Sequence, residues 1–398
     1  MSPKTNIPAD EIENRISAVQ KRMQKSDMEA LLVVQRVDLF YFSGTAQNGI
    51  LFIPADGPPL LLIKRYFPRA KAESPISRIM EIGSVKEVPR RIKDGYSRLP
   101  RTLGFELDVL PVKTFRFYER LFPHTGCVDG SPLILQTRMV KSGWEIQEMS
   151  KAAELSHKTF LYMRDHIAPG LTEMEFAGQF EAFARKHGHG GKLRVRGFQT
   201  EGYPWHVLSG KSGAMPGLLD SPASGEGTSA AYPVGAGYKR LAPHEPIMVD
   251  LALVLNGYHT DETRMFAISS MPKPAMDASL AAIEIQDTVL EAVKPGIPVN
   301  RLFDLSVQKA AQLGYAEAFL GPPGYKVRFI GHGIGLELIE PPMITPKEET
   351  LLRPGMVFSL EPKMVFSDRF TAGIETMFRV TETGYALISQ VTMDVFVC

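Results

Sequence analysis

An α/β chain, α+β in its second part and built as two domains, is what this sequence predicts, and three observations predict it. At 398 residues the chain exceeds the length at which a single core keeps growing. In its first third, apolar strand-like runs alternate with helical segments, the pattern of a sheet covered by helices. Then MVKSGWEIQ ends the strand pattern at residues 139–144, Ser142-Gly143 breaks the chain, and a long helix begins. Domains of residues 1–140 and 141–398 follow.

An amphipathic helix is predicted over residues 12–25, followed by the strand-like stretches EALLVV, GILFIPA and PPLLLIK and the helical TFRFYERL. In the second domain the long helix runs to about Ile167, where Pro169-Gly170 stops it. Thr172 and Glu175 form a capping box for LTEMEFAGQFEAFARKHG, which ends at a glycine. Two more helices are expected, DASLAAIEIQDTVLEAV ahead of Pro295-Gly296 and, with Asn300 as N-cap, RLFDLSVQKAAQLG. The Gly-, Ser- and Pro-rich residues 221–238 read as an ordered loop beside the site.

Composition excludes several function classes. Lys and Arg number 45 against 44 Asp and Glu, a net of +1, so nothing points to nucleic acid or an anionic membrane surface. No apolar run approaches the roughly 18 residues of a membrane span. The basic run RKHGHGGKLRVRG lacks interleaved aromatics and reads as a surface loop. Two cysteines, Cys127 and Cys398, and a polar N-terminus without an apolar leader fit a reducing cytoplasm. Cys127 reads as a small hydrophobe.

Residues 249–266, VDLALVLNGYHTDETRMF, read as two alternating strands joined by Asn256-Gly257, a pair suited to the positive φ values of a two-residue turn. Leu255 then faces Tyr258, and Asp261 falls opposite Ala252. Asp250 shares the Ala252 face, so Asp250 and Asp261 become diagonal neighbours within reach of one ion. Two strand acids alone more often face water. Downstream, however, GHGIGLELIEPP carries His332, GMVFSLEP carries Glu361 and AGIETMFRVTETG carries Glu375, each in an apolar or Gly-rich setting. Four carboxylates with one imidazole and no thiolate suit divalent Mn, Co, Fe or Zn.

Asp250, Asp261, His332, Glu361 and Glu375, in that order and in D-x-x-x-x-x-x-G-Y-x-x-D-x-T-R, G-H-G-I-G and E-P contexts, resemble the ligand set of the pita-bread metallopeptidases. The spacing is most similar to the prolidase branch of that superfamily, which also holds aminopeptidase P, methionine aminopeptidase and creatinase. The resemblance implies a creatinase-type N-terminal α/β domain, to whose opening residues 15–44 are similar. It also implies a pita-bread catalytic domain of curved antiparallel sheets covered by helices, in two pseudo-symmetric halves, and a homodimer. Two divalent metal ions (Mn, Co, Zn or Fe) are implied, Asp250 on one, His332 and Glu361 on the other, Asp261 and Glu375 bridging. A hydroxide between the ions then attacks an amide carbonyl, and Glu361 shuttles the proton to the leaving nitrogen.

Departures lie on the substrate side. The family pattern H-G-I-G-L-x-x-H-E-x-P has Ile339 in place of its second histidine, and the histidine expected after S-G-x-x-x-x-x-P is Gly217. Losing one donor to a tetrahedral intermediate commonly costs about 100- to 1000-fold in rate. The arginine two residues before the last glutamate is Gly373, and the acid after it is Thr376. His206, in GYPWHVLSG, is the candidate replacement imidazole, with Trp205 and Tyr203 as core or cleft wall. His259 supports the ligand strand, His187 and His189 complement a helix dipole, Arg264 braces the bridging carboxylate, and Glu262 reads as a solvated strand residue.

Three functions are thereby set against one another. The first is an Xaa-Pro aminopeptidase or dipeptidase acting on short peptides. The second, favoured by the missing histidines, is a relative acting on another small molecule, as creatinase, ectoine hydrolase and a dimethylsulfoniopropionate lyase do. The third, a non-catalytic binding module, sits poorly with five retained ligands.

Overall fold

The computed structural model describes residues 6–197, 202, 205–217 and 221–398. The chain divides into two compact units, one of residues 6–138 joined by Arg196 and Gly197, the other of the remaining described residues from Met139 onward.

In the first unit α1 (Ala9–Lys25) follows Pro8 and buries Ile12, Ile16, Val19 and Met23, one stripe at helical spacing. After it come β1 (Ala30–Val33), α2 (Arg36–Ser43), β2 (Gly49–Pro54), β3 (Leu60–Ile63), α3 (Phe67–Glu73) and β4 (Ile79–Glu81). Then follow α4 (Val88–Tyr96), β5 (Thr102–Phe105), α5 (Val112–Leu121), β6 (Gly126–Asp129) and α6 (Ser131–Arg138). The sheet order is β4-β3-β2-β1-β5-β6. β1 pairs antiparallel with β2 and parallel with β5. All four of its residues are buried, as expected of a central strand covered on both faces. Cys127 is half-buried and packs against the core of this sheet.

The second unit opens with α7 (Gly143–His166) and α8 (Glu173–Lys186), whose first turns are closed by reciprocal capping boxes, Ser142 with Glu145 and Thr172 with Glu175. Next come β7 (Trp205–Ser209), β8 (Ile247–Leu255), β9 (Tyr258–Ala267), α9 (Lys273–Glu291) and α10 (Val299–Gln312). The chain ends with β10 (Gly331–Gly333), β11 (Glu340–Met343), β12 (Val357–Leu360), β13 (Lys363–Phe366), β14 (Phe370–Gly373), β15 (Thr376–Val380), β16 (Tyr385–Leu387) and β17 (Phe396–Val397). One sheet runs β17-β9-β8-β7, another β11-β10-β12-β15-β16, and β13 with β14 forms a hairpin.

Helices α7 and α8 supply Phe160, Phe176 and Phe180 to a core with Val249, Leu251 and Phe266 of the first sheet. Helices α9 and α10 supply Ile285, Val289 and Leu302 to a second core with Phe358, Met364 and Phe378. The two sheets are stitched where Thr263 and Glu375 exchange backbone hydrogen bonds of 3.3 and 3.1 Å and where Ser359 Oγ donates to the Asp261 carbonyl at 3.0 Å.

Three local expectations need correction. The N-cap of α10 is Pro298, whose fixed φ of −71° and extended ψ of 141° start the helix at Val299, ahead of Asn300; the Asn300 backbone amide instead donates to the Glu348 carbonyl at 2.8 Å. The basic run 185–197 is not all solvated loop, since Leu193 is buried and Arg196 pairs with Asp38 at 2.9 Å and Asp108 at 2.5 Å. Glu262 is fully buried, because a strand covered on both faces leaves no wet side. Residues 221–238 are turns and bends, with Gly225, Gly227 and Gly235 at positive φ.

Candidate metal centre

The hairpin of β8 and β9 has the expected register. Asn256 and Gly257 take φ of 52° and 94°, Leu255 pairs with Tyr258 and Ala252 with Asp261. That register turns Asp250 and Asp261 to one face. β10 brings His332, the turn after β12 brings Glu361, and the Thr263 bridge pins Glu375 just ahead of β15. All five side chains therefore converge, from three sheet segments and two turns.

Ligand atoms of Asp261, His332 and Glu375 lie within 4.8 Å of one another, all buried. His332 Nε2 stands 3.6 Å from Asp261 Oδ2 and 3.8 Å from Glu361 Oε1. Its Nδ1 lies 3.0 Å from the Gly333 carbonyl, a contact that puts the proton on Nδ1 and leaves Nε2 free to coordinate. Ser359 Oγ sits 2.9 Å from Glu375 Oε1 and 3.0 Å from the Asp261 carbonyl. Thr263 Oγ1 donates to Glu375 Oε2 at 3.1 Å.

Into the other side of the cluster reaches Lys363, which sequence reasoning overlooked. Its Nζ donates to Asp250 Oδ2 at 2.9 Å, Glu361 Oε2 at 2.9 Å and Glu375 Oε2 at 3.1 Å. A signal was present: a lysine two residues after Glu361, opening the otherwise apolar strand KMVF.

The side chains alone set an uneven proton balance. Burial would raise the Asp250 carboxyl, but the Lys363 ammonium and His206 together outweigh it and hold Asp250 well below the usual carboxylate range. Asp261, by contrast, is pushed up to about 6, by burial first and then by the Asp250 and Glu361 charges, against the pull of His332. Glu375 is raised too, by burial and the Asp261 charge. Burial would lower His332, yet Asp261 and Glu361 lift it to about 9. A divalent ion answers the surplus of negative charge here better than a shared proton does.

The donor set fits one ion among Asp261, His332 and Glu375, with the near oxygen of Glu361 beside it. It does not fit a second, because an ion on the Asp250 side would stand against the Lys363 ammonium, which already neutralises Asp250, Glu361 and Glu375 there.

The remaining candidates divide. His206 pairs across strands with Asp250, its Nδ1 3.8 Å from Asp250 Oδ2; its Nε2 is buried and has no hydrogen-bond partner among the described residues. Trp205 packs on the core between α8 and β8, while Tyr203 lies outside the described residues. His259 accepts from the Arg194 amide at 3.0 Å through Nε2, and its Nδ1 meets the Gly335 carbonyl at 3.1 Å, so it pins the loop after His332. Arg264 braces Glu375 through the backbone, with Nη1 2.6 Å from the Glu375 carbonyl, rather than through the carboxylate. His187 caps α8, but His189 is buried and accepts from the Val254 amide at 3.0 Å, which requires a neutral ring. Burial holds its pKa below the usual value.

On the substrate side, Ile339 is 41% exposed, in the connection between β10 and β11. Gly217 backs onto Ser224, whose Cβ would lie 2.8 Å from any Cβ added there. Glu340, the acid of the E-P-P segment, is buried and paired with Lys141 at 3.1 Å.

The fold and the buried Asp-His-Glu cluster define a class, the carboxylate-rich metallohydrolases. Residues 147–382 match the model of metallopeptidase family M24, and residues 15–140 match the creatinase/prolidase N-terminal domain. The chain belongs to metallopeptidase family M24. It is 24% identical to the Xaa-Pro dipeptidase of Pyrococcus furiosus, over 94% of this chain and 97% of that one. Among solved structures, the prolidase of Pyrococcus horikoshii OT3 superposes with a TM-score of 0.79 at 23% identity, covering 95% of this chain and 99% of that one. An Xaa-Pro dipeptidase of Bacillus anthracis gives 0.82 at 22%, covering 97% and 100%. The architecture is thus the pita-bread fold behind a creatinase-type N-terminal domain.

Proposed function

We propose that this chain is a metal-dependent hydrolase that cleaves an amide C–N bond in a short peptide of the Xaa-Pro type. The observation that carries the reading is the buried Asp261, His332 and Glu375 cluster in an M24 fold, with Xaa-Pro dipeptidases among the chain's relatives. A divalent ion held by those three residues supplies Lewis acidity and a water of lowered pKa.

The chain's own groups do the rest. His332, fixed through Nδ1, presents Nε2; Ser359 and Thr263 hold Glu375 in place; Glu361 Oε1, on the open side of its lysine contact, takes the proton of the attacking water and hands it to the leaving nitrogen. His206 Nε2, unpartnered beside Asp250, is the donor placed to hold a substrate oxygen.

A second reading, a non-peptide small amide as substrate, is favoured by one observation: neither Ile339 nor Gly217 offers a hydrogen bond where an Xaa-Pro peptidase of the recognised pattern has histidine. Turnover of an Xaa-Pro dipeptide panel against simple N-acyl amides, with added Mn, decides between them. Hydrolysis of the dipeptides that stops on chelation supports the first reading, and amide-only turnover supports the second. Chelator-insensitive turnover of either defeats the metal assignment. Domains of residues 1–140 and 141–398, a homodimer and a reducing cytoplasmic setting for the free Cys127 and Cys398 complete the proposal; light scattering tests the dimer.

A further inference from the structure

We propose that Lys363 is a built-in cation standing where a second metal ion would otherwise be needed, so that each chain binds one divalent ion and not two. The inference rests on the metal reading of Asp261, His332 and Glu375 given above.

Four acids converge in a buried space, and an ion pair there persists only if its charges are compensated at close range. Lys363 compensates three of them at once, with contacts of 2.9, 2.9 and 3.1 Å, and is itself 1% exposed. Its three ammonium protons match three carboxylate oxygens, so the group is saturated and cannot move aside without leaving acids unpaired. A divalent ion on Asp250 would have to share that carboxylate with the ammonium, which holds Oδ2 at 2.9 Å, and would stand close to its positive charge.

The opposite strand is shaped for this lysine. Lys363 pairs with Gly373 in the β13–β14 hairpin, and a Cβ at position 373 would sit 2.6 Å from Lys363 Cγ and 2.9 Å from the Pro362 carbonyl. Any side chain at 373 collides with the lysine stem. The absence of the arginine expected at 373 and the presence of Lys363 are thus one steric arrangement: a cation reaches the cluster from strand β13, and the facing residue is reduced to hydrogen to admit it.

The ammonium is also asymmetric in its effect. It engages the Asp250 side of the cluster and leaves His332 Nε2, Asp261 and Glu361 Oε1 with no lysine contact. One ion site therefore stays open while the other is filled by the protein.

The test uses full-length protein loaded with Mn(II), desalted, and assayed for metal content and by electron paramagnetic resonance. The expected result is one Mn per chain with the six-line signal of an isolated ion, rising to two per chain with an exchange-coupled signal in Lys363→Gly. Two ions in the wild type overturn the lysine proposal while leaving the metal reading intact. One ion in both proteins overturns it as well, because the lysine then excludes nothing. No ion in the wild type defeats both the lysine proposal and the underlying metal reading. The wild-type count and spectrum need no variant, so a Lys363→Gly protein that fails to fold still leaves the proposal open to refutation.

Discussion

Two buried charge clusters, one in each unit, are built on opposite arithmetic. In the first, Arg138 and Arg196 meet Asp38 at 2.6 and 2.9 Å, Arg196 also meets Asp108 at 2.5 Å, and Glu106 accepts from the Val34 and Gln35 amides at 3.1 Å. Two guanidiniums face two aspartates, and the third acid is kept protonated by burial: it is raised to about 8, with the Asp38 charge adding to the effect. That cluster balances itself. In the second, Asp250, Asp261, Glu361 and Glu375 face one ammonium and one imidazole. Its surplus of acid is a demand for a further cation. A buried acid cluster thus signals a metal only when the acids left ionised outnumber its internal cations.

The comparison breaks most visibly at His332. Removing an imidazole that presents Nε2 to the ion costs more than the roughly 10- to 100-fold in metal affinity that a residue merely supporting a ligand is worth. For His332→Ala we expect hydrolysis abolished and bound Mn lost, with the metal-free protein melting lower, since a cation of an acid-rich buried cluster is gone. Retained Mn in His332→Ala, read by metal analysis, refutes the ligand assignment.

Lys363→Gln attacks the same cluster from its balanced side. Breaking a buried pair by removing one partner costs about 3–5 kcal/mol, and chelated protein followed by denaturant titration should show a loss of that size. Because the vacated position can then take an ion, excess Mn should return part of the loss, by linkage of binding to folding. A loss that Mn does not touch would mean that the lysine is only a strut.

A smaller effect tests the wall of the acid-rich site. Gly217→His forces a Cβ to 2.8 Å from Ser224 Cβ, an overpacking worth about 1–3 kcal/mol. Ile339→His enters an exposed connection and should stay within about 0.5 kcal/mol of the parent. If dipeptide turnover rises in Ile339→His, peptidase specificity is limited by that one missing donor.

Much of this was legible in the residues themselves. Asn256-Gly257 fixed a register, and the register put Asp250 and Asp261 on one face; Ser142 and Thr172 announced their helices through capping boxes. These are local rules, satisfied within a turn or a strand pair. Lys363 escaped because its meaning depends on three acids up to 113 residues away and on a glycine across a hairpin. Glu262 escaped because alternation says which face a residue is on, and not whether a helix covers that face. The capping of α10 was misplaced because proline at 298 competes with asparagine at 300, and the fixed φ wins.

The smallest effect sharpens the comparison from the self-balanced cluster. Glu106 is raised to about 8 in the folded chain, by burial first, against about 4.3 for an unperturbed glutamate. Between those values the native state holds a proton that the unfolded chain has released. Stability from this group is therefore complete below the unfolded value and is lost as pH rises toward and through 8, at up to about 1.4 kcal/mol per pH unit. Glu106→Gln cannot titrate, so the difference between parent and variant isolates the group from every other acid: the parent should lose about 1 kcal/mol relative to the variant between pH 6 and 7, measured by urea titration. An unchanging difference over that interval would mean that Glu106 is ionised and paired with Arg138 or Arg196. The first cluster would then be short of cations as well, and charge balance would no longer distinguish the structural acids from those that await a metal.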